Sequence, residues 1–279
     1  MNSLRHYVRL TKAFLHFGVC KFAEYPLNAV IAVVSALLRE VTGFIGIFLI
    51  VQTIGGFGGW NMCEICVIFA LAMITEAIGQ TFFDMVWSIG FIGIRLGMLD
   101  VFLVRPAPVL MQVFCFGTNF PSLISLLVGM ILFCIGFIGA GGIFTIGNLL
   151  FLVEAILLGT VINTAIYLFF NCLNFWIVQA NEVASLIQTL RQFGKYPITV
   201  FPFFIRIILT GGIPFGFVAY YPAAYLLGKT SLPVPWLLAV SYTHLICPKS
   251  PKAMMLVILM YSKAKLLNTV VRNPSAPPR

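Results

Sequence analysis

Residues 143–170 read IFTIGNLLFLVEAILLGTVINTAIYLFF, a run that carries a single charge, Glu154. A helix needs about 20 apolar residues to cross roughly 30 Å of hydrocarbon, and this stretch exceeds that length. Four more stretches behave the same way: 28–54, 64–83, 112–138 and 199–227. A sixth begins at Pro233-Val-Pro-Trp-Leu-Leu-Ala-Val240 and fades into Ser241-Tyr-Thr-His-Leu245. The whole chain follows suit. Of its 279 residues, 61% are hydrophobic and 9% charged, against roughly 45–50% and about 25% in soluble domains. Mean hydropathy is +1.04. A water-soluble fold has too much surface to hide that much apolar material. A soluble enzyme, a nucleic-acid-binding domain and a disordered chain are therefore excluded. A membrane β-barrel would show short alternating segments, and these runs are long and continuous. The expected fold class is all-α: a polytopic membrane protein of about six transmembrane helices. The first run has no small-residue cleavage site, so it is expected to remain as a span.

The net charge of +9 bears on orientation. Loops that stay in the cytoplasm collect Lys and Arg. Residues 1–25 carry Arg5, Arg9, Lys12 and Lys21; the 84–107 loop carries Arg95 and Arg105; the 171–198 loop carries Arg191 and Lys195. The alternate loops, 55–63, 139–142 and 228–232, carry only Lys229. Eight against one predicts a cytoplasmic N-terminus. The basic tail beyond 248 then calls for a sixth crossing. Within residues 1–25, Arg5, Arg9, Lys12 and His16 are spaced to share one helix face, while Tyr7, Leu10 and Phe14 fall opposite. This reads as a basic amphipathic helix lying on the cytoplasmic lipid surface. The domain plan is an interfacial helix at 1–25, a transmembrane domain at 26–240 and an atypical basic tail at 241–279.

Several charged or polar residues fall inside apolar runs, where each costs roughly 2.5–3.5 kcal/mol. Arg39 and Glu40 are adjacent in the first run. Neighbours on a helix point about 100° apart, so each is expected to find its partner on another helix. Glu76, Gln80 and Asp84 are spaced to form one polar stripe on the second span. Glu154 stands alone in the fourth. Arg39, Glu40, Glu76, Gln80 and Glu154 are candidates for a translocation path, and structural pairing between helices explains them equally well.

Other strings carry less. Gly228-Lys229-Thr230 looks like the end of a phosphate loop, but the required first glycine is Ala223 and no strand precedes it. Gly55-Gly-Phe-Gly-Gly59 reads as a turn. Cys63-Glu-Ile-Cys66 has no second pair and no nearby His, and the seven cysteines are scattered, so neither a metal site nor a disulfide framework is expected. No residue set suggests catalysis, and no cofactor is expected.

The segment Ile94-Arg-Leu-Gly-Met-Leu-Asp-Val-Phe-Leu-Val-Arg-Pro-Ala-Pro108 is the most informative. It resembles the "G-x-L-D-x-x-L-x-[RK]-P" element between the second and third spans of type-two ABC exporter permeases. The matching positions are Gly97, Leu99, Asp100, Leu103, Arg105 and Pro106. The string Ile213-Pro-Phe-Gly-Phe-Val-Ala-Tyr-Tyr-Pro-Ala223 is similar to "IPFAFVAYYPA" in the fifth span of the bacterial six-span subfamily without a fused ATPase; Pro214, Tyr220, Tyr221 and Pro222 carry that likeness. Gly59-Trp60 before the second span also fits. The resemblance covers residues 1 to about 240. It departs at the tail, whose opening Ser-Tyr-Thr-His-Leu string resembles adapter read-through or a frameshift, which would make 241–279 non-native.

The resemblance implies a permease subunit in a bacterial cell membrane, working as an exporter. Its implied partners are a separate ATPase subunit and a second permease subunit, in a homo- or heterodimer, within membrane lipid; nucleic acid is not among them. It also implies that residues 97–106 couple the two proteins. There Leu99, Phe102 and Leu103, with Met98 and Val101, would enter a groove of the ATPase, and Asp100 and Arg105 would orient the contact. The competing function is a secondary transporter driven by an ion gradient, which calls for inverted repeats and paired broken helices.

Overall fold

The computed structural model describes most of residues 9–230; residues 1–8, 10–11, 14–15, 17, 21, 23, 55–57, 106–108, 110–111, 114–116, 176–179 and 231–279 are outside the description. Among the described residues there is no β-strand, and four helices are long and apolar enough to span a membrane. These are α1 (Pro26–Ile54), α2 (Met62–Ser88), α4 (Ser122–Gly139) and α5 (Ile146–Cys172). The chain is an all-α, multi-pass membrane protein. The incipient sixth run and the tail lie outside the described residues. At the N-terminus Arg9, Lys12 and His16 are helical and exposed, whereas Arg5, Tyr7, Leu10 and Phe14 are outside the description.

The bundle is organised around α2. In its most apolar window 72% of residues are buried, against 17% for α1. Glycines let its neighbours approach. A Cβ on Gly129 of α4 would sit 2.9 Å from the Ile74 side chain, and one on Gly136 would sit 2.9 Å from the Cys63 carbonyl. Without a hydrophobic driving force between helices in lipid, such close backbone contact is what holds them together. At its start, α2 is fixed by the Asn61 N–H donating to Glu64 Oε2 at 2.7 Å. Its other end does not give way to a loop. It continues through a π-helical segment, Ile89–Arg95, to Gly97 at φ +76°, a conformation that favours glycine, and then to a short helix α3 (Met98–Val104).

Two expected spans come out differently. The third is shorter than 112–138. Residues 117–119 are not helical, and α4 starts only after Pro121, whose ring suits a helix start and not a helix interior. The fifth is broken. Helix α7 (Phe203–Ile207) runs into a π turn, Ile208–Gly212, then a 3-10 turn, Phe215–Phe217, and α8 (Tyr220–Leu226), with a bend of 72° between the two halves. The cause is local. Pro214 forces extended backbone on the residue before it, and Ile213 sits at φ −126°, ψ 101°. Between α5 and the broken span lies α6 (Ala180–Phe193), with Ile187 and Arg191 on its buried face.

Candidate functional site

Glu76 sits in the middle of α2 and is almost enclosed. Arg191 from α6 donates Nη2 to Glu76 Oε1 at 2.6 Å, and Lys195, in the turn after α6, lies 3.3 Å from Oε2. Gln80, one turn along α2, donates to Glu76 Oε1 at 3.2 Å and accepts from the Ser122 hydroxyl of α4 at 3.2 Å. The Arg191 guanidinium lies over the Trp87 ring at 4.5 Å, and Trp87 stacks on Tyr167 of α5 at 3.9 Å. Three charges, an amide and two aromatic rings from α2, α5 and α6 thus form one cluster beside a cleft lined by Ala72, Glu76, Asn163, Arg191, Lys195 and Phe215.

Sequence reading counted Arg191 and Lys195 as loop charges that set orientation. They are interior partners of Glu76. One signal was available: the two are spaced i, i+4, the spacing of one helix face, although Lys195 falls just past the end of α6. The expected stripe on α2 is also cut. Glu76 and Gln80 bond to each other, but α2 leaves helical geometry at Phe83 (φ −128°, ψ 30°), and Asp84 beyond it lines a separate cleft with Tyr25, Asn28 and Thr118.

Arg39 and Glu40 each reach another helix as expected, at Ser125 of α4, with Arg39 Nη2 donating to its hydroxyl at 3.3 Å, but they also pair with each other, which departs from expectation. Arg39 Nε and Nη2 reach Glu40 Oε1 at 3.1 and 2.9 Å, since the long arginine arm spans the angle between neighbouring positions. Ser125 of α4 donates to the same oxygen at 2.9 Å. Glu40 faces the bundle and is buried; the Arg39 side chain remains 55% exposed. Glu154 is exposed on α5.

Helix α3 has two faces. Leu99 and Phe102 are buried against Met85, Val86, Ile89 and Tyr167. Val101, Leu103 and Val104 are exposed. Arg105 lies over the Phe102 ring at 5.9 Å, and the Asp100 N–H donates to the Gly97 carbonyl at 3.1 Å. Leu99 and Phe102 are therefore anchors of α3 to the bundle and are not free to enter a partner. Pro106 lies outside the described residues.

The strings around residues 60 and 220 meet. Trp60 packs on Tyr220 at 5.4 Å; Lys229 Nζ donates to the Gly59 carbonyl at 3.0 Å, pairs with Glu64 at 2.6 Å and lies 4.2 Å from the Trp60 ring. Tyr221 stacks on Phe217, and Pro222 is buried, so the motif of the broken span closes that end of α2. Pro214 supplies the break itself.

A family described as ABC-2 family transporter protein matches residues 37–266, which takes in every described span but the start of α1 and extends past Ser241 into the tail. The chain belongs to the ABC-2 transporter family. Neither a curated protein nor a solved structure matches it. An ABC-2 member is the membrane component of an ABC transporter, and the family implies association with an ABC ATPase. That membership displaces the gradient-driven alternative.

Proposed function

We propose that this ABC-2 protein is an export permease of a bacterial cell membrane. Its N-terminus faces the cytoplasm, it pairs with a second permease subunit, and it couples to a separate ATPase through α3. The observation that carries the coupling reading is the two-faced α3. Its inner residues, Leu99 and Phe102, are locked into the ends of α2 and α5, and its outer residues, Val101, Leu103 and Val104, are exposed. A helix held this way transmits a push from a soluble partner to two spans at once. The half-exposed Arg39 near the middle of α1 supports a second subunit, because a guanidinium open to lipid is costly and a facing subunit would cover it.

The test uses the outer face. Replacing Val101, Leu103 and Val104 together by Ser should leave the spans folded and abolish co-purification with the ATPase and transport-linked ATP hydrolysis. Retention of both would reduce α3 to an ordinary interfacial helix. Leu99→Ala and Phe102→Ala are poor tests of docking, because they open cavities inside the bundle.

A further inference from the structure

The cleft that Asp84 lines is far roomier than the one beside Glu76. Its volume is about 440 Å³, within the range of clefts that hold small molecules. Its origin is local. Because α4 begins only after Pro121, residues 117–119 run non-helically along the end of α2. There the Asn119 N–H donates to the Thr81 carbonyl at 3.2 Å, and a Cβ on Gly117 would stand 2.8 Å from the Met85 nitrogen. From the other side comes the N-terminal helical segment. A side chain on Gly18 would run into the Thr118 hydroxyl, and Phe22 packs on Phe120 at 6.0 Å. The start of α1 closes the third side, and the space left between these contacts is the cleft.

Its chemistry is one-sided. Among the described residues that line it, Asp84 is the sole charge and none is Lys, Arg or His, in a chain of net charge +9. Thr118 and Asn119 add side-chain oxygens, and Phe22, Tyr25 and Phe120 add rings. A carboxylate, neutral oxygens and aromatic faces together suit an ammonium group. A carboxylate offers about four acceptor sites, so the contact that Asp84 makes within the chain leaves others for a ligand. The position selects the source. α1 and α4 begin here and α2 ends here, at the depth where an apolar span gives way to headgroups. Ile31 lines the cleft. Leu27 and Val34, on the same helix face by their spacing, are exposed and form a strip suited to acyl chains.

We propose that this cleft binds the headgroup of a phospholipid that carries a primary ammonium, as phosphatidylethanolamine does. The ammonium donates to Asp84 and to the oxygens of Thr118 and Asn119. The Asn28 amide, at the exposed rim, reaches the phosphate, and the acyl chains lie along Leu27, Ile31 and Val34. Placing this lipid in the cytoplasmic leaflet rests on the orientation proposed above; the headgroup chemistry does not.

The test needs neither ATPase nor transport. The full chain in detergent is titrated with phosphatidylethanolamine and, separately, with phosphatidylcholine of the same acyl chains, and bound lipid is counted by native mass spectrometry. Both lipids are zwitterionic, so the exposed cations of the N-terminal segment do not bias the comparison. Only the first has ammonium N–H groups to donate. One saturable phosphatidylethanolamine per chain is expected, bound about tenfold or more tightly than phosphatidylcholine. In Asp84→Asn the two lipids should bind within about twofold of each other. Thr118→Val should weaken the preference, and Ala32→Phe, which fills the cleft and keeps the carboxylate, should remove the site for both lipids. Equal retention of the two lipids by the wild-type chain would mean a groove that any lipid fills, and overturns the proposal. So does a preference that survives unchanged in Asp84→Asn or in Ala32→Phe. If Asp84→Asn does not fold, Thr118→Val and Ala32→Phe still decide. An N-terminus found outside the cell would move the lipid to the other leaflet and leave this result standing, as would failure of the docking test on α3.

Discussion

The molecule handles charge in its spans in two ways. At Glu76 the partners come from three places: α2, α6 and the turn after it, a sequence separation of over a hundred residues. All of them are enclosed. At Glu40 the charge partner is the next residue, and only the carboxylate is enclosed, with one hydroxyl from α4. Both carboxylates are paired, but they do different jobs. The Glu76 cluster ties an amphipathic helix to the centre of the bundle. The Arg39–Glu40 pair settles a charge on its own helix and leaves a cation facing outward. A long-range pair holds the fold together, and a local pair chiefly makes a charged residue tolerable.

That contrast can be tested by substitution. Arg191→Ala should have the largest effect, since breaking a buried pair leaves an uncompensated partner; a loss of about 3–5 kcal/mol is expected, read by equilibrium unfolding in mixed micelles. Glu40→Ala should come next. It strips the Ser125 hydroxyl and the Arg39 guanidinium of their shared acceptor, and a loss of about 1–3 kcal/mol is expected in the same assay. In the single subunit Arg39→Ala should be the mildest at about 1 kcal/mol, because its guanidinium is half exposed and the Ser125 hydroxyl still serves the Glu40 carboxylate. A loss at Arg39 equal to that at Arg191 would break the comparison, and would show that a second subunit buries Arg39 in the assembled protein.

The spans were legible in the sequence wherever an apolar run was uninterrupted. α1, α2 and α5 lie within a few residues of the runs that predict them. What escaped depended on punctuation and on distance. Pro121 and Gly211-Gly-Ile-Pro214 are breakers in plain view, yet hydropathy averages over them, so two runs read as whole spans. Asp84 was placed on a stripe by its spacing, and a single non-helical residue, Phe83, was enough to break the register. Arg191 and Lys195 sit in a mixed segment that hydropathy assigns to a loop. Only the tertiary structure shows that Glu76 is waiting for them. The inner and outer faces of α3 could not be separated by composition either, because Leu99, Val101, Phe102 and Leu103 are all apolar; the face each occupies is decided by the π-helical segment that aims the helix.

The bend in the fifth apolar run has a consequence for how the protein enters the membrane. Its halves, Phe203–Thr210 and Phe215–Leu226, meet at 72°. With a rise of 1.5 Å per residue, the two halves are only about 12 and 18 Å long, each short of the roughly 30 Å hydrocarbon thickness. Neither half can span lipid by itself, since each is shorter than the roughly 20 residues a crossing needs. The segment is therefore a late arrival during synthesis. It is expected to become stable only against α2 and α5, which precede it in the chain and receive Phe215, Ala219 and Ala223, so its insertion depends on packing as well as on its own hydropathy.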